Sequence, residues 1–358
     1  MRRIVINQPN RIPLDMVDIP LSLLAAMVLS FTISYLSIPI FNKFMIAVGI
    51  VGRDIMKREN GVIADMGGPG VITGFVLGVL VYVGLEVFIL KNSSGLVNIL
   101  ACLNTILIIT IIGMFDVLTS LMKQKEGQGI FEKLKRRGIP SWFYFFLPLP
   151  AAVPLMAVNA GVTSMILPFI GHVQLGIIYP LVLVPLAVLC CSNATNFFAG
   201  FNGLEAGMGV VLHLSLGIYA LMSNRIPAAV LALVFAFALV SFLKYNWYPA
   251  KVFPGDLNYT IGALVAGVTV LGNMEKFAII CFTPWIVESA LKAMSHFKAE
   301  NYGILQADGT VKPREVKIRS LTHLVMRSGR FTEKQVTEIL IAIEIAFCVF
   351  SFAIIRFI

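Results

Sequence analysis

Asn193-Ala-Thr-Asn196-Phe-Phe-Ala-Gly-Phe-Asn202-Gly-Leu-Glu-Ala-Gly207 breaks an otherwise continuous stretch of apolar sequence. The segment holds three Asn, three Gly and one Glu and no Lys or Arg, and apolar runs at 174–192 and 207–223 flank it. Polar, glycine-rich backbone beside a membrane core is tolerated where it lines a wet cavity or binds something polar. A plain polar loop is the simpler reading, but the density of amides favours a site.

Working outward, the whole chain is apolar. Of its 358 residues 58% are hydrophobic and 13% charged, against about 25% charged in soluble domains, and the mean hydropathy is +0.87. Runs long enough to cross a bilayer, about 17–25 residues each, lie near 20–46, 69–90, 96–115, 141–158, 174–192, 207–223, 226–243, 257–272, 277–294 and 336–357. The fold class expected is all-α: one integral-membrane domain over residues 1–358, a polytopic bundle of about ten transmembrane helices. Pro148, Pro150 and Pro154, and Pro180 and Pro185, predict kinks in the fourth and fifth. Gly67-Gly-Pro-Gly70 predicts a tight entry or close helix approach at the second. The first run lacks a small-residue cleavage site and reads as a retained span. The five cysteines lie in apolar runs without CxxC spacing, which suits packing.

Lys and Arg set the orientation. Loops after the odd-numbered spans hold most of them, nine between Lys292 and Lys334 alone, so these loops are expected to be cytoplasmic. The Asn-rich segment is one of them. The net charge of +9 therefore suggests anionic lipid and phosphorylated substrates rather than nucleic acid.

Candidate chemistry gathers on that face. Asp116 ends the apolar run Ile106–Phe115, a costly place for a carboxylate without a function, and Lys123 and Lys125 follow. Asn246-Trp-Tyr-Pro-Ala-Lys-Val-Phe-Pro-Gly-Asp256 ends in an Asp at a helix start, where it could cap, with Gly255 allowing a tight turn. Lys292-Ala-Met-Ser-His-Phe-Lys298 is expected to continue a helix with Lys292 and His296 on one face. Oxygen donors suit Mg²⁺ or Mn²⁺ rather than zinc, and a hard cation with Lys, Arg and His equips a site for a diphosphate. There is no Ser-His-Asp triad, Walker loop or metalloprotease His pair.

Three motifs carry a resemblance. Asn193-Ala-x-Asn-x-x-Ala-Gly-x-Asn-Gly-Leu-Glu-Ala-Gly207, Asn246-Trp-Tyr-Pro-x-x-Val-Phe-x-Gly-Asp256 and the looser Gly52-Arg-Asp-Ile-Met-Lys57 resemble signatures of the polyprenyl-phosphate N-acetylhexosamine-1-phosphate transferases. These form glycosyltransferase family 4, and the likeness is nearest to its eukaryotic and archaeal branch. The resemblance implies transfer of GlcNAc-1-phosphate from UDP-GlcNAc to dolichyl or another polyprenyl phosphate, sensitive to tunicamycin. It implies that Asn196 and Asp256 hold Mg²⁺ (or Mn²⁺), and that Asn202 and Phe253 hold the uracil. Gly52, Arg53, Asp54 and Ile55 would close the nucleotide pocket, Asn193 would line the substrate site, and Lys125 would meet phosphate. Asp116 would orient the acceptor phosphate or take its last proton.

Phe115-Asp116-Val117 stands where the family has adjacent aspartates. Ser295-His-Phe-Lys-Ala-Glu-Asn-Tyr-Gly303 replaces a Pro-x-x-His-Arg cluster, so His296 and Lys298 take its diphosphate-gripping place by position. Glu205 is expected to be structural. The expected setting is an archaeal cell membrane, then endoplasmic reticulum, with the active site cytoplasmic and a homodimer left open. A multi-span transporter or flippase of a phosphorylated substrate, a family member using another UDP-HexNAc donor, and a lapsed, nonenzymatic relative are the competing readings.

Overall fold

The computed structural model describes residues 19–57, 62–124, 141–162, 164–167 and 171–355; Lys125 lies outside the described residues. Helix α1, Leu21–Val48, leads to two short strands, β1 (Val51–Arg53) and β2 (Val62–Asp65). Helix α2, Gly68–Gly84, widens into a π turn to Ile89, and α3 spans Leu96–Gln124. Next come α4 (Ser141–Phe146), a 3-10 turn (Leu149–Ala152), α5 (Val153–Ala157) and the hairpin β3–β4 (Ser164–Leu167, Gly171–Gln174). A π turn, Tyr179–Leu183, opens α6, Val184–Phe197. Helices α7 (Leu204–Met222) and α8 (Ile226–Asn246) precede β5 (Val252–Phe253), α9 (Leu257–Gly272), α10 (Glu275–Cys281) and α11 (Thr283–Ala293). The chain ends with the hairpin β6–β7 (Gly303–Leu305, Val311–Pro313), α12 (Leu321–Met326) and α13 (Glu333–Ile354).

Among the described residues seven helices are long and apolar enough to cross a membrane: 21–48, 68–89, 96–119, 179–197, 204–222, 226–246 and 333–354. The other three apolar runs take shorter forms. Prolines lack the N–H a helix needs and clash with the preceding turn, so 141–158 splits into α4, the 3-10 turn and α5. The run 277–294 breaks at Phe282, two residues before Pro284, into α10 and α11. Helix α9 has 16 residues, about 24 Å at 1.5 Å per residue. The expected ten long spans are thus seven, with three shorter helical passages.

Small residues let the helices close on one another. In α2 a Cβ on Gly74 would lie 2.1 Å from Ser34 Oγ and 2.6 Å from the Ser30 carbonyl of α1. Ser37 Oγ donates to the Gly70 carbonyl at 2.8 Å, and Ser30 Oγ to the Val234 carbonyl of α8 at 2.9 Å. With no hydrophobic drive between helices in lipid, such contacts hold a bundle together. Helix α8 is the most enclosed of the seven, 72% buried over its apolar window. At one end of the bundle β1, β2 and β5 form a sheet in that order, β1 antiparallel and β5 parallel to β2. At the opposite end the Tyr179 hydroxyl donates to the Glu275 carboxylate.

Replacing Gly74 by Leu should force α1 from α2 and lower stability by ~1–3 kcal/mol, read as thermal unfolding in detergent. Gly84→Leu is the control, because a Cβ there meets nothing within 4 Å.

Candidate active site

The site end collects the C-termini of α1, α3, α6 and α8 and the N-termini of α2, α7, α9 and α13. Its centre is Asp256. The sequence suggested a helix cap, and Asp256 does sit at the N-cap of α9, but its side chain makes no cap bond. Instead Oδ1 accepts the Gly68 backbone N–H of α2 at 3.2 Å, and a Cβ on Gly68 would fall 2.1 Å from Oδ2. Gly113 of α3 also packs on it, its Cβ position 2.8 Å from the Asp256 carbonyl and 3.1 Å from its Cα. Gly255, at φ +54°, makes the turn that places the carboxylate there. Burial pushes the Asp256 pKa up to about 8, with the Gly68 N–H opposing and the Asp65 charge adding.

Around this carboxylate stand oxygens from three elements. Asp116 comes in from α3, where its Oδ2 accepts the Tyr259 hydroxyl of α9 at 3.2 Å. Thr195 Oγ1 of α6 donates to the Asn258 carbonyl at 2.7 Å, and a Cβ on Gly262 would lie 2.1 Å from the Cys191 carbonyl. That contact seats Asn196, half-buried, next to the start of α9. Asp256 Oδ2 and Asn258 Oδ1 are buried and accept no hydrogen bond from the described residues. No three or more His, Cys, Asp or Glu side chains among those residues are placed so that together they could hold a metal ion. One or two carboxylates with open oxygen positions suit Mg²⁺, which commonly completes its shell with water and substrate phosphate.

The second half of the site is the β1–β2–β5 sheet. Asp65 pairs in register with Phe253, and Gly52 with Ile63. A Cβ on Gly52 would meet the Phe253 ring at 3.1 Å, so glycine lets the ring lie against the strand. Asp54 is buried; its Oδ1 accepts the Met56 N–H at 3.2 Å, and its Oδ2 takes both Lys57 Nζ at 2.6 Å and Asn202 Nδ2 at 3.0 Å. Gly52, Asp54, Asn202 and Phe253, far apart in sequence, thus meet in one cleft. Arg53 and Ile55 are exposed beside it.

The Asn-rich segment is a helix end followed by a hairpin-tight loop. Gly200 N–H donates to Glu205 Oε1 at 2.8 Å and closes the loop on itself, which gives Glu205 its structural role. Gly203, at φ +77°, opens α7 beneath the Trp247 ring, and its N–H donates to Asn246 Oδ1 at 3.1 Å. Asn193 Nδ2 donates to the Phe145 carbonyl at 2.9 Å and the Leu189 carbonyl at 2.8 Å, so this amide is engaged with backbone.

The last loop differs from expectation. Helix α11 stops at Ala293, and His296 and Phe297 take left-handed backbone at φ +53° and +59°. Lys292 and His296 therefore share no helical face: Lys292 is buried with Nζ on the Ala299 carbonyl at 2.5 Å, while His296 and Lys298 are exposed. The turn instead presses the Phe297 ring on Phe197 at 4.9 Å. Asn301 Nδ2 then donates to the Phe197 and Ala199 carbonyls at 2.8 and 2.6 Å, bracing the Asn-rich loop.

Several site residues escaped the sequence reading. Asp65 lies 3.2 Å from where a Gly255 Cβ would stand, and burial raises its pKa to about 6. Its signal was a carboxylate just before the glycine-rich start of α2. Tyr302 packs its ring on Gly200, and its pKa rises to about 12, through burial first and then the charges of Glu205, Asp65, Glu300 and Asp54. Tyr259, Asn301 and Glu333 carry no local signal.

Comparison with known proteins identifies the family. The model of "Glycosyl transferase family 4" matches residues 99–273. A Sulfolobus acidocaldarius protein is 30% identical over 339 residues, covering 92% of this chain and 95% of its own length. A Saccharolobus solfataricus protein is 33% identical over 335 residues, covering 92% and 96%. Both are named, provisionally, UDP-N-acetylglucosamine–dolichyl-phosphate N-acetylglucosaminephosphotransferase. The Dictyostelium discoideum protein of that name is 33% identical over 181 residues, 41% of this chain and 44% of its own. With two relatives aligned along nearly their whole length, a membrane bundle of this shape, and the motif residues meeting at one end of it, the chain belongs to glycosyl transferase family 4.

Proposed function

We propose that the protein transfers GlcNAc-1-phosphate from UDP-GlcNAc to dolichyl or a related polyprenyl phosphate, releasing UMP and leaving a GlcNAc-diphospho-lipid in the membrane. The observation that carries the reading is the convergence of Asp116, Asp256, Asn196 and Asn202 at one end of a membrane bundle. There a lipid-borne phosphate and a water-borne nucleotide can meet. The basic loops support a cytoplasmic setting for that end.

An oxygen of the acceptor phosphate attacks the sugar-bearing phosphorus of the donor. A new P–O bond forms, the bond to the bridging oxygen breaks, and UMP leaves with that oxygen. The nucleophile is anionic near neutral pH, so positioning and charge neutralisation carry the rate. Asp116, held by the Tyr259 hydroxyl, orients the acceptor phosphate or takes its last proton. Asn202 and Phe253 hold the uracil, and the segment Gly52–Ile55 closes over the nucleotide. Asp256 and Asn196 would hold Mg²⁺, which would supply charge neutralisation for a diphosphate. The exposed His296 and Lys298 would screen phosphate.

Membranes containing the protein, given radiolabelled UDP-GlcNAc, Mg²⁺ and dolichyl phosphate, should yield lipid-extractable label that tunicamycin abolishes. Movement of intact donor without bond cleavage would support a transporter instead. Asp256→Ala should abolish transfer even at raised Mg²⁺ while the protein stays in the membrane; near-normal activity would sink the metal assignment.

The raised carboxyl pKa values give a second test, independent of turnover. A group whose pKa is raised on folding stabilises the fold below its unfolded value and loses that contribution as pH rises through its folded value. The loss begins near the ordinary carboxyl value of 3.8 and runs up to the folded values, about 6 for Asp65 and about 8 for Asp256. The metal-free protein should therefore lose thermal stability across this window. Mg²⁺ should restore it, and Asp256→Asn should blunt both effects. A melting temperature that is flat over the window and unmoved by Mg²⁺ would contradict the assignment.

A further inference from the structure

Asn202 is held by its backbone as well as its amide. Its N–H donates to Glu333 Oε1 at 3.1 Å, and its carbonyl accepts the Thr337 hydroxyl at 3.2 Å. Glu333 and Thr337 stand four residues apart on α13, so one helix face presents an acceptor and a donor a turn apart. All three residues are buried, at 4%, 3% and 1% exposure. The first turn of α13 is itself fixed. Thr332 and Gln335 form a capping box, and the Val311 N–H of β7 donates to the Phe331 carbonyl at 2.9 Å. On the far side Asp54 accepts Asn202 Nδ2, and Asn246 accepts the N–H of the next residue, Gly203.

An amide that reads a base edge selects between bases only when it can neither slide nor turn, because selectivity comes from leaving the wrong base with unpaired partners. The geometry points to Glu333 and Thr337 as positioning residues for nucleobase recognition, holding Asn202 so that the site prefers uracil to cytosine. This rests on the assignment of Asn202 to the base of the donor.

Glu333 offers a clean test because its two oxygens differ. Oε1 takes the Asn202 N–H, while the buried Oε2 accepts from none of the described residues. Glu333→Gln keeps the bonding oxygen and replaces the idle one. Glu333→Ala leaves a buried N–H without its acceptor, at the full desolvation cost. Thr337→Val removes the other hold at constant shape.

The experiment uses the full-length protein and the variants E333A, E333Q and T337V in lipid vesicles. Protection against thermal unfolding by UMP and by CMP is measured with UDP-GlcNAc kinetics. E333A should weaken UMP binding about tenfold and raise the KM for UDP-GlcNAc with kcat within about twofold, as for a shifted binding group. Its preference for UMP over CMP should narrow. E333Q should recover most of the affinity and preference, and T337V should show a smaller loss in the same direction. Should E333A fail to fold, the T337V preference decides.

Wild-type affinity and preference in E333A, or in T337V where that variant decides, would overturn the proposal. So would a fall in E333Q as deep as in E333A, or a fall in kcat at constant KM. Nucleotide protection needs no turnover, so a wild type that prefers UMP but transfers nothing refutes the activity and leaves this proposal standing. A wild type that binds UMP and CMP alike refutes the proposal.

Discussion

Taking a carboxylate out of water costs several kcal/mol unless cations or donors meet it, and Asp256 has been taken out of water at the meeting of α2, α3 and α9. Much of the surrounding sequence follows from housing it. Gly68 supplies a backbone donor and must lack a side chain, since a Cβ would collide with the carboxylate. Gly113 must be small to let α3 approach. Gly255 must adopt a positive φ to aim the side chain inward rather than over its own helix. The glycines of α2 that continue this line, Gly70, Gly74 and Gly78, bring α1 and α8 against the same helix.

Electrostatically the cleft is acidic before substrate arrives. Asp54, Asp65, Asp116, Asp256 and Glu333 line or adjoin it, and Lys57 and Lys292 are engaged in contacts of their own. Within it Asp256 Oδ2 and Asn258 Oδ1 are buried and accept no hydrogen bond from the described residues, so this is the part of the cleft with unmet oxygens. The lack of Lys and Arg in the Asn-rich segment fits a division of labour, with amides for the neutral base and cation charge for the phosphates.

Membrane character was legible because a hydrocarbon core about 30 Å thick demands long apolar runs. The helix breaks were legible less well. Pro148, Pro150 and Pro154 announced a kink, yet nothing in the run told how short the pieces would be. Strands of two to four residues carry no periodicity, so the sheet that joins Gly52, Asp65 and Phe253 was invisible although two of its residues sat in recognised motifs. The helical face expected of Lys292 and His296 fails because the helical pattern extends through His296, while the left-handed turn at His296 and Phe297 leaves no mark in sequence. Asp54–Asn202 and Asn202–Glu333 are contacts across 148 and 131 residues, which spacing along the chain does not encode.

That last contact also bears on how the protein is made. Glu333 and Thr337 leave the ribosome long after Asn202 has entered the bilayer with α6 and α7. Until α13 is threaded and docked, the peptide on either side of Asn202 lacks two of its hydrogen bonds, and the loop between the two helices is held by Asn246 and its own glycines. A chain that stopped before α13 would therefore carry every motif residue but lack Glu333 and Thr337, and with them the hold on the Asn202 backbone. The order of synthesis makes the docking of α13 the event on which the hold on the Asn202 backbone waits.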